Sequence, residues 1–459
     1  MLVVGLVTAV AVAVESRLSP LGAPVWVAGV AAVLVVTTLA DRKMLTAVLL
    51  IAFACLAATQ LVQEVALVKP VRVFVADLLI LPLIAAGVVR LLVHGRLPLF
   101  GYHFVAIVTF GVAFTVLGID LGNEPLDAIG VFRRLCIYPA IYMVAVMGLP
   151  FPASAAPGFR RMAITAGLVV AGLSVFRMAT GEGYAHDYFE QSHVTARFLS
   201  HLEAIAPILA LLVVLSENTG LRTRKRARNL VIIWILLLGL VVSNYRAVWG
   251  ALAVALAVWA LVAGRSARRM LGPLVLLLGL ALVAAVAVIW ITNPDALPLE
   301  KFSVDNLQRT SNWRIGSWSR AIEVFLQQPI VGTGFGYHHR FLYLSGENFD
   351  VWAVSEGHTI HNDLLWLLTN AGLIGAILIV GFHARWWRHC YAALGRDPLA
   401  TAEGRCITAV IGCHAGVITI AMFQPVFSAP AAAIAIYLMM AYGSGLANRA
   451  RLERARIRG

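Results

Sequence analysis

Arg222-Thr223-Arg224-Lys225-Arg226-Ala227-Arg228 runs through Asn229 into Leu230-Val231-Ile232-Ile233-Trp234-Ile235-Leu236-Leu237-Leu238-Gly239-Leu240-Val241-Val242, which stops at Ser243-Asn244-Tyr245-Arg246. A dense cationic patch against an unbroken apolar run has one economical reading. The run enters the hydrocarbon of a bilayer, and the cations stay in the aqueous layer beside the headgroups. The whole composition agrees: 60% of the 459 residues are hydrophobic and 13% are charged, with mean hydropathy +0.85. A soluble domain of this composition lacks the polar side chains to cover its surface. The expected fold class is therefore all-α, a polytopic transmembrane helical protein. The formal net charge of +13 fits cytoplasmic loops and anionic lipid rather than nucleic acid.

Runs long enough to span recur at 2–15, 24–40, 44–62, 73–93, 103–119, 128–149, 160–178, 200–216, 229–243, 247–263, 271–291, 363–384, 405–424 and 430–446. Several are shorter than the usual span of about 20 residues, so the expectation is about 12–14 helices. If each run crosses once, the basic segments at 41–43, 160–161, 222–228, 265–269, 385–405 and 449–458 all fall on one side. The positive-inside rule makes that side the cytoplasm, with both termini there. The opposite loops, 118–127, 179–197 and 292–362, are neutral or acidic. The expected organisation is a transmembrane region at 1–291, a long periplasmic loop at 292–362, and C-terminal transmembrane helices with a basic cytoplasmic tail at 363–459. The apolar start at 1–14 lacks a basic leader and reads as a short first helix. Within the long loop, Trp313, Trp318, Ala321, Ile322 and Phe325 recur at helical spacing, which predicts an amphipathic helix ending before Pro329. Gly332-Thr333-Gly334-Phe335-Gly336 then reads as a tight turn with close backbone approach. The cysteines show no metal-ligand spacing, and Cys406 and Cys413, two turns apart, read as small packing residues.

The candidate chemistry sits at the outer ends of the spans. Gly357-His358-Thr359-Ile360-His361-Asn362-Asp363 puts His361 at the lip of a span. An imidazole there can act as a general base near neutral pH. It can equally be a polar residue at a helix start, with Asn362 or Asp363 as the cap. His358 ranks below it. Arg246 and Arg314 stand at predicted outer edges, where a permanent cation opposes the orientation bias and suits an anion such as a phosphate. Arg197 is a weaker third, and Arg320 reads as a bystander. His186, His193, His338 and His339 read as loop residues. No Asp-x-Asp pair in an outer loop implies a divalent metal, and no nucleotide or protease fingerprint occurs. No ladder of carboxylates lines the spans as in a proton-coupled transporter; Asp77 comes nearest.

Three patterns resemble the O-antigen ligase and polymerase superfamily of membrane glycosyltransferases. The segment Ser243 to Trp249 resembles its Ser-x-x-Arg helix start. Arg314 to Trp318 with Pro329 to Gly336 resembles its Arg-x-x-x-Trp and Pro-x-x-Gly-x-Gly-x-Gly run. His361-Asn362-Asp363-Leu364-Leu365 with Gly372-Leu373-Ile374-Gly375 resembles its His-Asn-x-x-Leu and Gly-Leu-x-Gly segment. Asp363 departs from the pattern, where less charge is expected, and the spacing from Ser243 to Arg246 is loose. The resemblance covers roughly 230–385. It implies a GT-C-like fold in the bacterial inner membrane and a donor glycan on undecaprenyl diphosphate. It further implies transfer at the periplasmic face to a glycan or glycolipid acceptor, with inversion and without metal or other cofactor. His361 would activate the acceptor hydroxyl, and Arg246, Arg314 and Arg197 would bind the diphosphate. A polymerase joining lipid-linked repeat units is the alternative within the family. A transporter or flippase of a lipid-linked or anionic solute is the alternative outside it.

Overall fold

The computed structural model describes residues 66–68, 73–74, 101–141, 151–180, 184–185, 196–218, 223–243, 245–292, 304–345, 351–357 and 360–458. The apolar runs at 2–15, 24–40 and 44–62, nearly all of 73–93, and Asp77, His186, His193 and His358 lie outside the described residues. The protein is an all-α polytopic membrane protein. Among the described residues, six helices are long and apolar enough to cross a bilayer.

A short antiparallel ladder, β1 (Ala66–Val68) with β2 (Val73–Phe74), precedes the helices. Helix α1 (Gly101–Asp120) is followed by α2 (Pro125–Phe132), which runs through a π turn at Arg133–Ile137 into α3 (Tyr138–Ile141). Then come α4 (Ala155–Thr180), the two-residue strands β3 (Tyr184–Ala185) and β4 (Ala196–Arg197), α5 (Ile205–Glu217), α6 (Thr223–Val242), α7 (Arg246–Ala263) and α8 (Arg265–Thr292). The segment after α8 carries α9 (Val304–Gln327) and an antiparallel hairpin of β5 (His339–Ser345) and β6 (Val351–Gly357). The chain closes with α10 (Asp363–Ala392), α11 (Ala402–Ala421) and α12 (Pro430–Arg458). Helix α9 ends two residues before Pro329, where the sequence places its stop. The hairpin is a difference from the helical loop expected. Phe341, Tyr343, Val351, Trp352 and Val354 are the aromatic and β-branched types that favour pleated pairing.

Small residues let the helices approach. Gly412 and Gly416, four apart on α11, face Ala251 and Ala255 on α7, and a Cβ at Gly416 would stand 2.9 Å from the Ala251 carbonyl oxygen. That is the small-xxx-small packing which substitutes for hydrophobic driving force in lipid. The Ser174 hydroxyl of α4 donates to the Gly239 carbonyl of α6 (3.1 Å). Between α10 and α11, the Trp387 indole donates to His414 Nδ1 (2.9 Å), and His414 Nε2 lies 2.9 Å from His383 Nδ1. An indole only donates, so His414 Nδ1 is the acceptor and its Nε2 carries the proton given to His383. Cys406 and Cys413 are buried and point at the carbonyls of Ala156 and Ile205.

The two ends of the bundle differ in chemistry. At one end Arg160 pairs with Glu217, and Arg449 pairs with Glu403 (3.1 Å) while donating to the Phe151 carbonyl (2.7 Å). Arg451 and Arg454 reach back to the carbonyls of His389 and Leu394 at the C-terminal end of α10, where cations complement the helix dipole. The basic segments around 160, 385–405 and 449–458 therefore share one end. Helix α10 runs from that end to the other but is broken. Gly372 has φ 59° and ψ −161°, a non-helical conformation.

The break is filled by the turn at Pro329 to Gly336. Leu373 N–H donates to the Pro329 carbonyl (2.9 Å) and Ile374 N–H to that of Ile330 (3.2 Å), while Thr333 N–H donates to the Thr369 carbonyl (2.8 Å). The turn supplies the rungs that the helix lacks, as membrane helices require of any break. This contact explains two glycines. At Gly332 (φ 68°) a Cβ would sit 2.6 Å from the Thr369 oxygen, and at Gly372 it would overlap the Ile330 carbonyl. Phe335 N–H donates to the Phe114 carbonyl (2.9 Å) and the Asn123 amide donates to the carbonyls of Thr333 and Phe335. The turn is thus tied to α1 as well.

Candidate active site

His361 stands one residue before the cap of α10. The Asn362 side-chain oxygen accepts from Leu364 N–H (3.1 Å) and Leu365 N–H (3.0 Å), so Asn362 is the helix cap and His361 is not. The alternative of Asn362 or Asp363 as cap resolves to Asn362. His361 has φ 49°, a left-handed conformation among the described non-glycine residues found only here. Such a residue costs of order 1 kcal/mol or more, and persists where its surroundings over-determine it. Two neighbours do so. On its N-terminal side the Ile360 carbonyl accepts from the buried Ser317 hydroxyl of α9 (3.1 Å). Against its ring stands Trp313, edge to face with centroids 4.8 Å apart. The imidazole is half-buried.

Arg314, next to Trp313, lays its guanidinium over the Phe423 ring at 5.7 Å. Trp318 packs on the same ring at 6.2 Å. Phe423 belongs to the Met422–Ala429 loop between α11 and α12. That loop meets α10 again, because Val426 N–H and Phe427 N–H donate to the Asp363 carboxylate at 2.7 and 2.8 Å. It also meets the segment before α5, where His201 Nε2 donates to the Pro425 carbonyl (3.3 Å). The His201 ring rests on Tyr245 (5.8 Å), and the next residue, Arg246, is the first of α7. Arg134 from the π turn donates to the Ser428 carbonyl (2.7 Å) and lies over the Trp366 ring at 5.8 Å.

His361, Arg314 and Arg246 are therefore placed at one end of the bundle, around one loop, opposite the end where the basic segments meet. Arg197 is in β4, its backbone opposite Tyr184, four residues before His201. Arg320 pairs with Glu323 on the exposed face of α9 (3.1 Å), the bystander position expected. His338 is exposed; His339 is fully buried, with Nε2 3.4 Å from the Thr369 hydroxyl.

Residues 231–380, about a third of the chain, match the family described as O-antigen ligase. This stretch is similar to the O-antigen ligase family. No curated protein matches the chain. The matched stretch takes in most of α6, all of α7, α8 and α9, the glycine turn, the hairpin and α10 as far as Val380. Arg246, Arg314 and His361 fall inside it; Arg197, Arg134 and the Met422–Ala429 loop fall outside. The match supports glycosyl transfer of the O-antigen ligase or polymerase type in general, on lipid-linked glycan and acceptor substrates. The loop and Arg134 were not singled out in the sequence. An Arg within the apolar run at 128–149 was the available signal for Arg134.

Proposed function

We propose that this protein transfers a glycan from an undecaprenyl-diphosphate donor to a sugar hydroxyl at the periplasmic face of the bacterial inner membrane, as an O-antigen ligase does. The reaction is a single displacement. Neutral His361 takes the proton of the acceptor hydroxyl as its oxygen attacks the anomeric carbon. The bond to the diphosphate breaks on the opposite side, inverting the anomeric configuration. Undecaprenyl diphosphate leaves with the bonding electrons. Arg314, Arg246 and Arg197 offset the growing negative charge. Fixed guanidinium charges perform this at any accessible pH without a divalent ion.

The observation that carries the reading is the shared end. The His361 imidazole, the Arg246 start of α7 and Arg314 within α9 gather round the Met422–Ala429 loop, away from the cationic end that the positive-inside rule assigns to the cytoplasm. The expected domain roles follow: 292–362 is the periplasmic segment, and the spans on either side hold the polyprenyl chain. The description of the matched domain favours ligase over polymerase.

The test is transfer by purified protein in nanodiscs. His361→Ala is expected to abolish product while keeping expression and membrane insertion. Wild-type rates are expected to survive EDTA. Full transfer by His361→Ala would remove the assigned base, and a strict requirement for magnesium would remove the metal-free mechanism.

A further inference from the structure

Asp363 is the first residue of α10 and only 8% exposed. Acidic residues in a first helical turn are common because they complement the dipole, but that needs no burial. The cap is already supplied by Asn362. A carboxylate removed from water is costly unless its oxygens are bonded. Here Oδ2 takes both backbone N–H groups of Val426 and Phe427. The far side of the same loop is held by Arg134, whose Nη1 donates to the Ser428 carbonyl and whose Nε donates to Gly130 (3.0 Å). Asp363 and Arg134 thus grip one short segment from two elements.

That segment touches Arg314 and is linked through one intervening residue or two to Arg246 and His361. Phe423 lies under Arg314, Pro425 accepts from His201 beside Tyr245 and Arg246, and Asp363 itself is two residues from His361. We propose that Asp363 is a positioning residue: its carboxylate docks the Met422–Ala429 loop on the start of α10 and so fixes the separation of His361 from Arg314. The effect on rate rests on the glycan-transfer reading; the docking does not. A displacement of about 1 Å between reacting groups is enough to cost up to a hundredfold in rate.

Two readouts separate the parts. Amide hydrogen exchange of the peptide spanning 422–429, measured in nanodiscs, reports docking without any substrate. Transfer kinetics, with lipid-linked glycan and acceptor glycolipid extracted from the source membranes, report its consequence. Asp363→Ala is expected to speed exchange of Val426 and Phe427 by about tenfold or more, the loss of a net bond to a charged acceptor. It is expected to lower kcat by about tenfold to a hundredfold with KM little changed. Asp363→Asn keeps an acceptor oxygen and is expected to restore most of both. Arg134→Gln reaches the same loop from the other side and is expected to loosen the same peptide, which covers the case that Asp363→Ala does not fold. Unchanged exchange in Asp363→Ala and Arg134→Gln overturns the docking role. Faster exchange with wild-type kcat overturns the link to the reaction. A wild-type protein that transfers nothing overturns the glycan-transfer reading and that link together, while the exchange result still decides the docking.

Discussion

Gly372→Ala attacks the join between the glycine turn and the broken helix. An alanine at φ 59° and ψ −161° lies in a region that is nearly glycine-only, at about 2 kcal/mol. Its Cβ overlaps the Ile330 carbonyl, so the turn must back away. Backing away strains three hydrogen bonds, from Leu373, Ile374 and Thr333, each worth about 1 kcal/mol net. Some are regained if α10 straightens, which alanine favours, so the net cost is about 4 kcal/mol. That is at the exceptional end for one methyl group. The control is in the same helix. A Cβ at Gly381 meets only the His103 ring carbon at 3.7 Å, and Ala there should be neutral or stabilising by up to about 1 kcal/mol. Thermal unfolding in nanodiscs, followed by tryptophan fluorescence, should place Gly372→Ala roughly 4 °C below wild type. Gly381→Ala should sit at or above it. Equal midpoints for the two variants would refute the view that the turn splints the helix.

Three further outcomes are expected. Arg314→Ala should lower transfer about a hundredfold, roughly 3 kcal/mol of barrier, with Arg314→Lys recovering part of it; single-turnover rates of product formation check this, and an unaffected rate removes Arg314 from diphosphate binding. Asn362→Ala should cost about 1 kcal/mol of local stability while Asn362→Asp costs little, read as faster exchange of Leu364 and Leu365. His414→Ala strands the Trp387 donor and the His383 acceptor in the bundle core and should lower the unfolding midpoint by an amount matching about 2–4 kcal/mol; a wild-type midpoint would show that those bonds are dispensable.

Much of the fold was legible because apolar length is a local signal. The run at 103–119 appears as α1, 160–178 as α4, 247–263 as α7 and 363–384 as α10, with α4 starting five residues earlier and α10 running eight residues further. Extension at α12 carries helix through arginines that hydropathy assigns to a tail, and Arg451 and Arg454 there find carbonyl partners at the end of α10. The π turn at Arg133–Ile137 and the break at Gly372 depend on contacts with distant segments, which no window of local sequence contains. The same holds for the site. His361, Arg246 and Arg314 stood out as charged or titratable residues at span edges. The Met422–Ala429 loop did not, because its role is played by backbone groups of Val426 and Phe427, and any sequence supplies those. Asp363, the departure from the family pattern, has its physical reason in those two N–H groups.

Arg451 and Arg454 finish the cytoplasm-assigned end of α10 from about sixty residues further along the chain (62 and 60 positions). During synthesis, then, the carbonyls of His389 to Leu394 wait for residues still inside the ribosome. A helix made later is the one that seals an earlier one. A protease cut or a ribosome stall before Arg449 would leave the apolar spans inserted yet the lower end of α10 frayed, giving a protein present in the membrane but short-lived there.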